Sequence, residues 1–395
     1  DGFVLEGGPD SFLTQKAAAF ELAADLGLKN ELQGSRDELR KTFIFHDGKL
    51  KPLPEGMFMM IPSSPIAFLK SDLISWYGKF SALNDFFTLP DRDDLTVADW
   101  VEKRFGIEIL QQIAEPLLAG VYGGDINRLS LASALPQIWG LQKRGSLIMQ
   151  LLGRKKENQS LFTTFKNGMQ TLTKALTHEL QKHRFVLGTE VNRIEKKEGK
   201  WWIQDQTYDA LVVSTSTIPE INSSYGSEIR NLLHSIRKNS AIVILMAFKN
   251  LVREGFGWLV PRSERHFALA CTYSSNKFAN RSPENHLLLR LFIGGSQAEN
   301  WIERSDEELI QRALDDLRRI ANINDAPLFA KVSRWHSAMP EFAIGHRKII
   351  EELRNLSELE GSLFVANNVM NGVGIPDCIT AAKATAQQLC LMKSN

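Results

Sequence analysis

The chain has 395 residues, 43% apolar and 24% charged, an ordinary folded composition that excludes a disordered or fibrous protein. Its 47 Lys and Arg almost balance 46 Asp and Glu, so no broad basic surface for nucleic acid is indicated, and no run of eighteen apolar residues offers a membrane-spanning helix. The length points to two or three domains.

The opening DGFVLEGGPDSFL reads as a strand, Phe3 to Leu5, already under way into a Gly7-Gly8-Pro9 turn. The natural N-terminus is therefore expected to lie further upstream. Gly56 to Phe87 is rich in Met, Phe, Trp and Leu, broken by Pro62 and Pro65 and punctuated by Lys70 and Lys79. That texture suits an interfacial helix, a greasy pocket wall or a plain amphipathic core helix. From about Ile66 to Leu152 the pattern is helix-rich, and LTVADWVEKRFGIEILQQIAEPLLAGVY has its apolar residues at helical spacing.

After Lys155 the texture changes to strands: Phe185 to Leu187, Val191 to Lys196, Trp201 to Asp205 and Ala210 to Thr215, with a hairpin turn at Glu198-Gly199. Further strands read at Ala241 to Phe248 and Leu287 to Phe292. In SDEELIQRALDDLRRIANI, Ser305 and Glu308 form a capping box, and Ile310, Ala313, Leu314, Leu317 and Ile320 one stripe. Helices, then strands, then helix and strand again indicate an α+β chain whose domains are not contiguous in sequence.

Cys271, Cys378 and Cys390 are scattered with no CxxC spacing, which fits a reducing compartment. His178 and His183 stand five apart, on different faces of a helix, so no metal is expected. The Asn-x-Ser triplets at Asn158, Asn222, Asn280 and Asn355 read as chance, since no signal peptide is present.

Near the C-terminus, LFVANNVMNGVGIPDCITAAKATAQQL places a strand at Leu363 to Val365, then Gly372 and Gly374, which let a backbone approach a flat body closely. Pro376 with Asp377 starts a helix kept slim by Ala381, Ala382, Ala384 and Ala386. A helix N-terminus reached through a glycine loop suits an anion or a developing negative charge, while a plain strand-to-helix connection accounts for the same residues.

NGVGIPDCITAAK resembles the C-terminal flavin-contacting segment of protoporphyrinogen oxidases, members of the flavin amine-oxidase superfamily. The likeness is collinear over nearly the whole chain. DGFVLEGGPDSFL is similar to the family's strand and turn beside the flavin ribityl chain, and IAEPLLAGVYGGDINRLSLASALPQIWGLQKRGSLI to its central helical signature. GFGWLVPR and TYSSNKFANRSPENHLLLRLFIGGS are similar to its substrate-domain strands, and WHSAMPEFAIGH to its late motif.

This resemblance implies an α/β FAD-binding domain of the amine-oxidase type, discontinuous over 1–34, 162–218 and 352–395. It also implies a β-sheet substrate domain over 35–63 and 219–351 and a helical, membrane-associating subdomain over 64–161. The reaction implied is the oxygen-dependent oxidation of protoporphyrinogen IX, ranked slightly ahead of coproporphyrinogen III, with a related amine oxidase, a carotenoid desaturase and a flavin-free porphyrin carrier as alternatives. The cofactor is FAD, which carries the redox chemistry, so no catalytic side chain is expected.

The flavin contacts implied are Gly8, Pro9, Asp10 and Ser11, Val191 beside the adenine, and Asn368, Val373, Gly374 and Ile375 at the isoalloxazine, where the helix from Asp377 stabilises charge on reduced flavin. Gly120 gives room for the macrocycle, Leu259 and Phe292 sandwich its rings, and Thr272 lines the pocket. Where the family carries an Arg for a substrate propionate, this chain has Thr42, so Lys41 or Arg40 is the expected substitute. The GxGxxG unit for the FAD pyrophosphate has no counterpart in the chain, which is expected to hold FAD weakly or not at all where the complete gene product holds it noncovalently. A cytoplasmic location with peripheral membrane contact, a homodimer, and a ferrochelatase receiving the product complete the expectations.

Overall fold

The computed structural model describes residues 2–152 and 160–392; Lys155 and Asn158 lie outside the described residues. The chain forms two compact units. The first comprises Asp1–Thr14, Glu31–Met169 and Asn239–Met339, the second Gln15–Asn30, Gln170–Lys238 and Pro340–Asn395.

The first unit is built on a seven-stranded sheet: β1 (Thr42–His46), β2 (Lys49–Pro52), β3 (Lys238–Lys249), β4 (Gly257–Leu259), β5 (Ala270–Tyr273), β6 (His286–Gly294) and β7 (Phe329–Pro340), in the order β7-β3-β6-β5-β4-β1-β2. Successive side chains of a strand point to opposite faces, so the register decides what each face carries. Phe292 pairs with Ala270, which pairs with Leu259; Arg290 pairs with Thr272, which pairs with Gly257. Trp258, Cys271, Leu289, Leu291 and Ile293, the alternate residues, form the main core with Leu309, Ala313, Leu317 and Ile320 of the helix Asp306–Ala321. That helix starts as expected, Ser305 Oγ accepting from the Glu308 N–H at 3.3 Å. Leu309 heads its buried stripe, and Ile310 and Leu314 pack beside it, partly buried.

Leu95 to Tyr122 is helical but in pieces. Thr96 caps Val97–Phe105, Gly106 at φ +89° ends it, and a π-helical stretch, Leu110–Ala114, leads into α1 (Glu115–Tyr122). The apolar periodicity is nonetheless used: Trp100, Val101, Phe105, Ile109 and Ile113 are all fully buried. Within Gly56 to Phe87, by contrast, Ile66, Leu69, Trp76, Tyr77, Phe80 and Phe87 are exposed, as is Leu89 beyond it. Among the described residues no helix is long and apolar enough to cross a membrane.

In the second unit, strands Arg193–Lys197 and Lys200–Ile203 form the expected hairpin, its turn made by Glu198 at φ +52° and Gly199 at φ +76°. Two positive φ values in succession match the right-handed twist of the flanking strands. Leu211–Val213 pairs in parallel with Leu363–Val365. Their side chains share a core with Trp201, Ile221, Ile229, Leu233, Ile350 and Leu353.

Two expected strands do not form. Val4 N–H donates to Arg281 O at 3.1 Å, but no ladder includes Phe3 to Leu5. Phe185 to Leu187 also lacks a partner strand among the described residues, and its side chains are exposed, with no apolar face to bury. Apolar runs of three residues are too short to specify a strand without such a partner.

Candidate functional site

In the first unit, the turn Gly7–Ser11 lies against β7 and β6 and is tied down by its carbonyls. The Trp335 indole donates to Gly7 O at 2.7 Å, Arg290 donates to Gly8 O, and the Thr164 hydroxyl donates to Asp10 O at 2.7 Å. A Cβ on Gly7 would stand 2.5 Å from Ser333 Oγ, and one on Gly8 3.1 Å from the Trp335 ring, so a side chain at either position displaces a neighbour.

Beneath the turn lies a cluster of five ionisable groups. Asp10 accepts from Lys277 Nζ at 3.2 Å and from Ser11 Oγ at 2.7 Å, and Arg290 Nη1 is 3.2 Å from its carboxylate. Arg281 donates to Thr164 Oγ1 at 2.7 Å and stands 3.9 Å from Glu6, which accepts from the Met169 N–H at 2.7 Å. Burial pushes the Asp10 carboxyl up, but Lys277 and Arg290 overcome it and hold it well below the usual carboxylate range. Burial raises Glu6 and lowers Lys277 and Arg281, with the neighbouring opposite charges opposing each shift.

Leu259, Thr272 and Phe292 occur in adjacent strands on the sheet face opposite the main core, each half-buried. Arg290 shares that face, its guanidinium 4.8 Å over the Phe292 ring. Gly120 sits on α1, which packs against β4 and β6; it is exposed, and a Cβ there would meet nothing within 4 Å. Arg262, just beyond β4, anchors both ends of α1. It stands 3.6 Å from Glu115 and from Asp125 and donates to Gly124 O at 2.9 Å.

Lys41 is not brought to this face. Its amine pairs with Glu254 at 2.8 Å and lies over the Phe43 ring, which packs against the main core, while Arg40 pairs with Asp37 at 3.4 Å. The cation on the candidate face is Arg290. The available signal is its place in HLLLRLFIGG, a lone charge two residues from Phe292 in an otherwise apolar strand. His46, Asp47 and Glu264 also bring ligand-capable atoms within 4.8 Å of one another near the turn after β1, a grouping that no sequence spacing announces.

In the second unit, Asn368, Val373, Gly374 and Ile375 are half-buried and lead into the helix Ile375–Met392, whose first bonds run from Asp377 N and Cys378 N to Gly374 O. His346 Nε2 lies 2.9 Å from Val369 O and Asn367 donates to Thr215 O at 3.3 Å, fixing the chain on either side of Asn368. Burial lowers the His346 pKa, so a neutral ring donates that bond. The glycine loop is filled by a carboxylate: Cβ atoms on Gly372 and Gly374 would each stand 2.8 Å from Asp377 Oδ2, and Lys16 pairs with Asp377 at 2.6 Å. Asp377 thus stands in the helix's first turn, as read from sequence, with its carboxylate paired to Lys16. Val191 is 36% exposed in a loop before Arg193–Lys197, not a buried strand residue.

Residues 1–390 match the family model described as flavin containing amine oxidoreductase. The chain belongs to that family. This flavin-containing amine oxidoreductase is 32% identical to a coproporphyrinogen III oxidase of Bacillus subtilis (strain 168), over 97% of its own length and 86% of the relative's. It is 28% identical to protoporphyrinogen oxidase 1, chloroplastic, of Arabidopsis thaliana, covering 98% and 78%. A crystal structure from Exiguobacterium sp. 255-15, provisionally named a protoporphyrinogen oxidase, superposes with a TM-score of 0.86 at 25% identity, covering 100% of this chain and 89% of that one. Reduced UDP-galactopyranose mutase shares the fold, with a TM-score of 0.69 at 14% identity over 98% and 85%. The chain's own residues fit a flavin: beside the two-glycine turn, closed against Ser333 and Trp335, Arg290 Nε and, through Glu6, Arg281 Nη1 are buried donors without a partner among the described residues.

Proposed function

We propose that this flavin-dependent oxidoreductase oxidises a porphyrinogen to its porphyrin in heme biosynthesis, with dioxygen as final electron acceptor. The observation that carries the reading is the half-buried sheet face where Leu259, Thr272 and Phe292 stand in neighbouring strands beside the Gly7–Ser11 turn. A porphyrinogen is a broad apolar disc with anionic propionates, and such a face with few polar groups suits it. When bound, FAD would supply the redox chemistry, taking a hydride from substrate while a second proton is lost to solvent and passing the two electrons to dioxygen to give hydrogen peroxide, three times per porphyrin.

The chain's residues bind and orient. Leu259 and Phe292 contact the macrocycle, Thr272 lines its edge, and Gly120 leaves α1 without bulk toward it. Gly8, Pro9, Asp10 and Ser11 from the first unit, and Val191, Asn368, Val373, Gly374 and Ile375 from the second, are the proposed cofactor contacts. Of the two expected propionate partners, Lys41 pairs with Glu254 and Arg40 with Asp37, and Lys41 lies off the face that carries Leu259, Thr272 and Phe292. By role, 1–34, 162–218 and 352–395 serve the flavin, 35–63 and 219–351 the substrate, and 64–161 a peripheral membrane contact.

Coproporphyrinogen III is the substrate we favour, since the relative named for it is 32% identical against 28% for the chloroplast protein. A cytoplasmic enzyme touching the membrane through 66–89, and handing product to a ferrochelatase, fits the exposed Trp76, Tyr77, Phe80 and Phe87. Purified full-length protein given each porphyrinogen in air tests the reading. A kcat/KM at least tenfold higher for coproporphyrinogen III is expected; a preference for protoporphyrinogen IX overturns the substrate, and oxidation of neither overturns the function.

A further inference from the structure

The five groups under the Gly7–Ser11 turn do not balance. Lys277, Arg281 and Arg290 supply three positive charges against the two carboxylates of Glu6 and Asp10, with Asp10 paired to Lys277 and Arg290 and Glu6 close to Arg281. The surplus is not dissipated in solvent: Arg281 and Arg290 are 2% exposed and Lys277 8%. Nor is it used up by hydrogen bonds, because Arg281 Nη1 and Arg290 Nε are buried without a partner among the described residues. Leaving such donors unmade is costly unless a ligand or a charge elsewhere uses the field they create.

We propose that Lys277 and Arg290 are positioning residues for the Gly7–Ser11 turn, and that the surplus positive charge of their cluster raises the reduction potential of flavin held against that turn. The inference rests on the flavin reading above. Positioning follows from the contacts: Arg290 holds Gly8 O and the Asp10 carboxylate at once, and Lys277 holds Asp10 and Ser11 Oγ, so the two cations fix the turn from β6 and from the segment just after β5. The electrostatic part follows from burial. A net positive charge in a region of low dielectric favours whichever redox state of a neighbour carries more negative charge, which is the reduced one. The helix Ile375–Met392 is the other expected source of positive potential, and its first turn carries Asp377 paired with Lys16.

The test is the flavin midpoint potential of full-length holoenzyme in four variants, at one pH near 8. R290M and K277M each remove one positive charge and are expected to shift the potential negative. E6Q removes a negative charge while keeping an acceptor for the Met169 N–H, and is expected to shift it positive. R290K retains the charge but loses the fork; its potential stays near wild type while FAD is released more readily on dilution. A purely structural role would weaken FAD retention in all variants without ordering the potentials by charge. Should R290M fail to fold, K277M carries the same sign, since Arg290 still holds Gly8 in it. Potentials that move in the same direction for K277M and E6Q, or in neither, overturn this inference while leaving the function standing. Full-length protein that holds no flavin overturns both.

Discussion

The Arg290 guanidinium stands 4.8 Å over the Phe292 ring and 3.2 Å from the Asp10 carboxylate, so one side chain joins the candidate substrate face to the turn carried by the N-terminal segment. The first consequence concerns Phe292 itself. Phe292→Ala removes apolar contact that substrate and transition state share, so KM is expected to rise about tenfold, roughly 1.4 kcal/mol, with kcat nearly unchanged. Steady-state kinetics check this, and a fall in kcat at constant KM contradicts it.

Gly120 separates activity from stability. A side chain there enters open space, and replacing a helical glycine by leucine adds about 0.5–1 kcal/mol of helix propensity. Gly120→Leu is therefore expected to keep its flavin and to melt no lower than wild type, yet to lose porphyrinogen oxidation about a hundredfold by blocking the slot. Thermal unfolding and oxygen uptake, measured together, decide it. Oxidation at the wild-type rate removes Gly120 from the site.

Asp10 predicts an acid dependence. Its folded pKa lies well below that of a free aspartate, so its contribution to stability is complete above the free value and is lost as pH falls through it toward the folded value. Asp10→Asn leaves buried cations uncompensated and is expected to cost about 3 kcal/mol at pH 7. The gap between wild type and variant should narrow by up to about 1.4 kcal/mol per pH unit below pH 4. Urea unfolding at pH 7, 5 and 3 measures it, and a gap constant over that range contradicts the ion cluster.

The apolar side chains between 66 and 89 predict a peripheral contact. Phe87 is 84% exposed and Phe80 66%, and the Lys79 amine lies 4.6 Å over the Trp76 ring. The double variant F80E/F87E is expected to lose binding to anionic vesicles while its unfolding free energy stays within about 1 kcal/mol of wild type. Sedimentation with vesicles at low and high salt reports on this. Wild-type protein that stays in the supernatant at low salt excludes the contact.

Local chemistry made much of the fold legible. The Glu198-Gly199 hairpin, the Ser305 cap and the helix begun at Pro376 each depend on residues a few positions apart, whose turn, cap and ring preferences act before any tertiary contact forms. Short apolar runs without such signals misled, as at Phe3 to Leu5 and Phe185 to Leu187, because a strand is stabilised by a partner that its own residues do not name.

Family likeness also picked out Leu259, Thr272 and Phe292, whereas Arg290, two residues from Phe292 in the same strand, drew no expectation from the sequence. What sequence alone left undecided is which charges meet. Asp10 and Lys277 are 267 positions apart, and Gly8 and Arg290 are 282. Lys41 read as a free cation until folding set Glu254 beside it, and the Gly372–Gly374 loop read as open until Asp377 filled it. Composition and spacing determine secondary structure and the core faces because those forces are short in sequence. Ion pairing depends on distance in space, so the charge surplus beneath the Gly7–Ser11 turn exists only once β5, β6 and the N-terminal segment have packed.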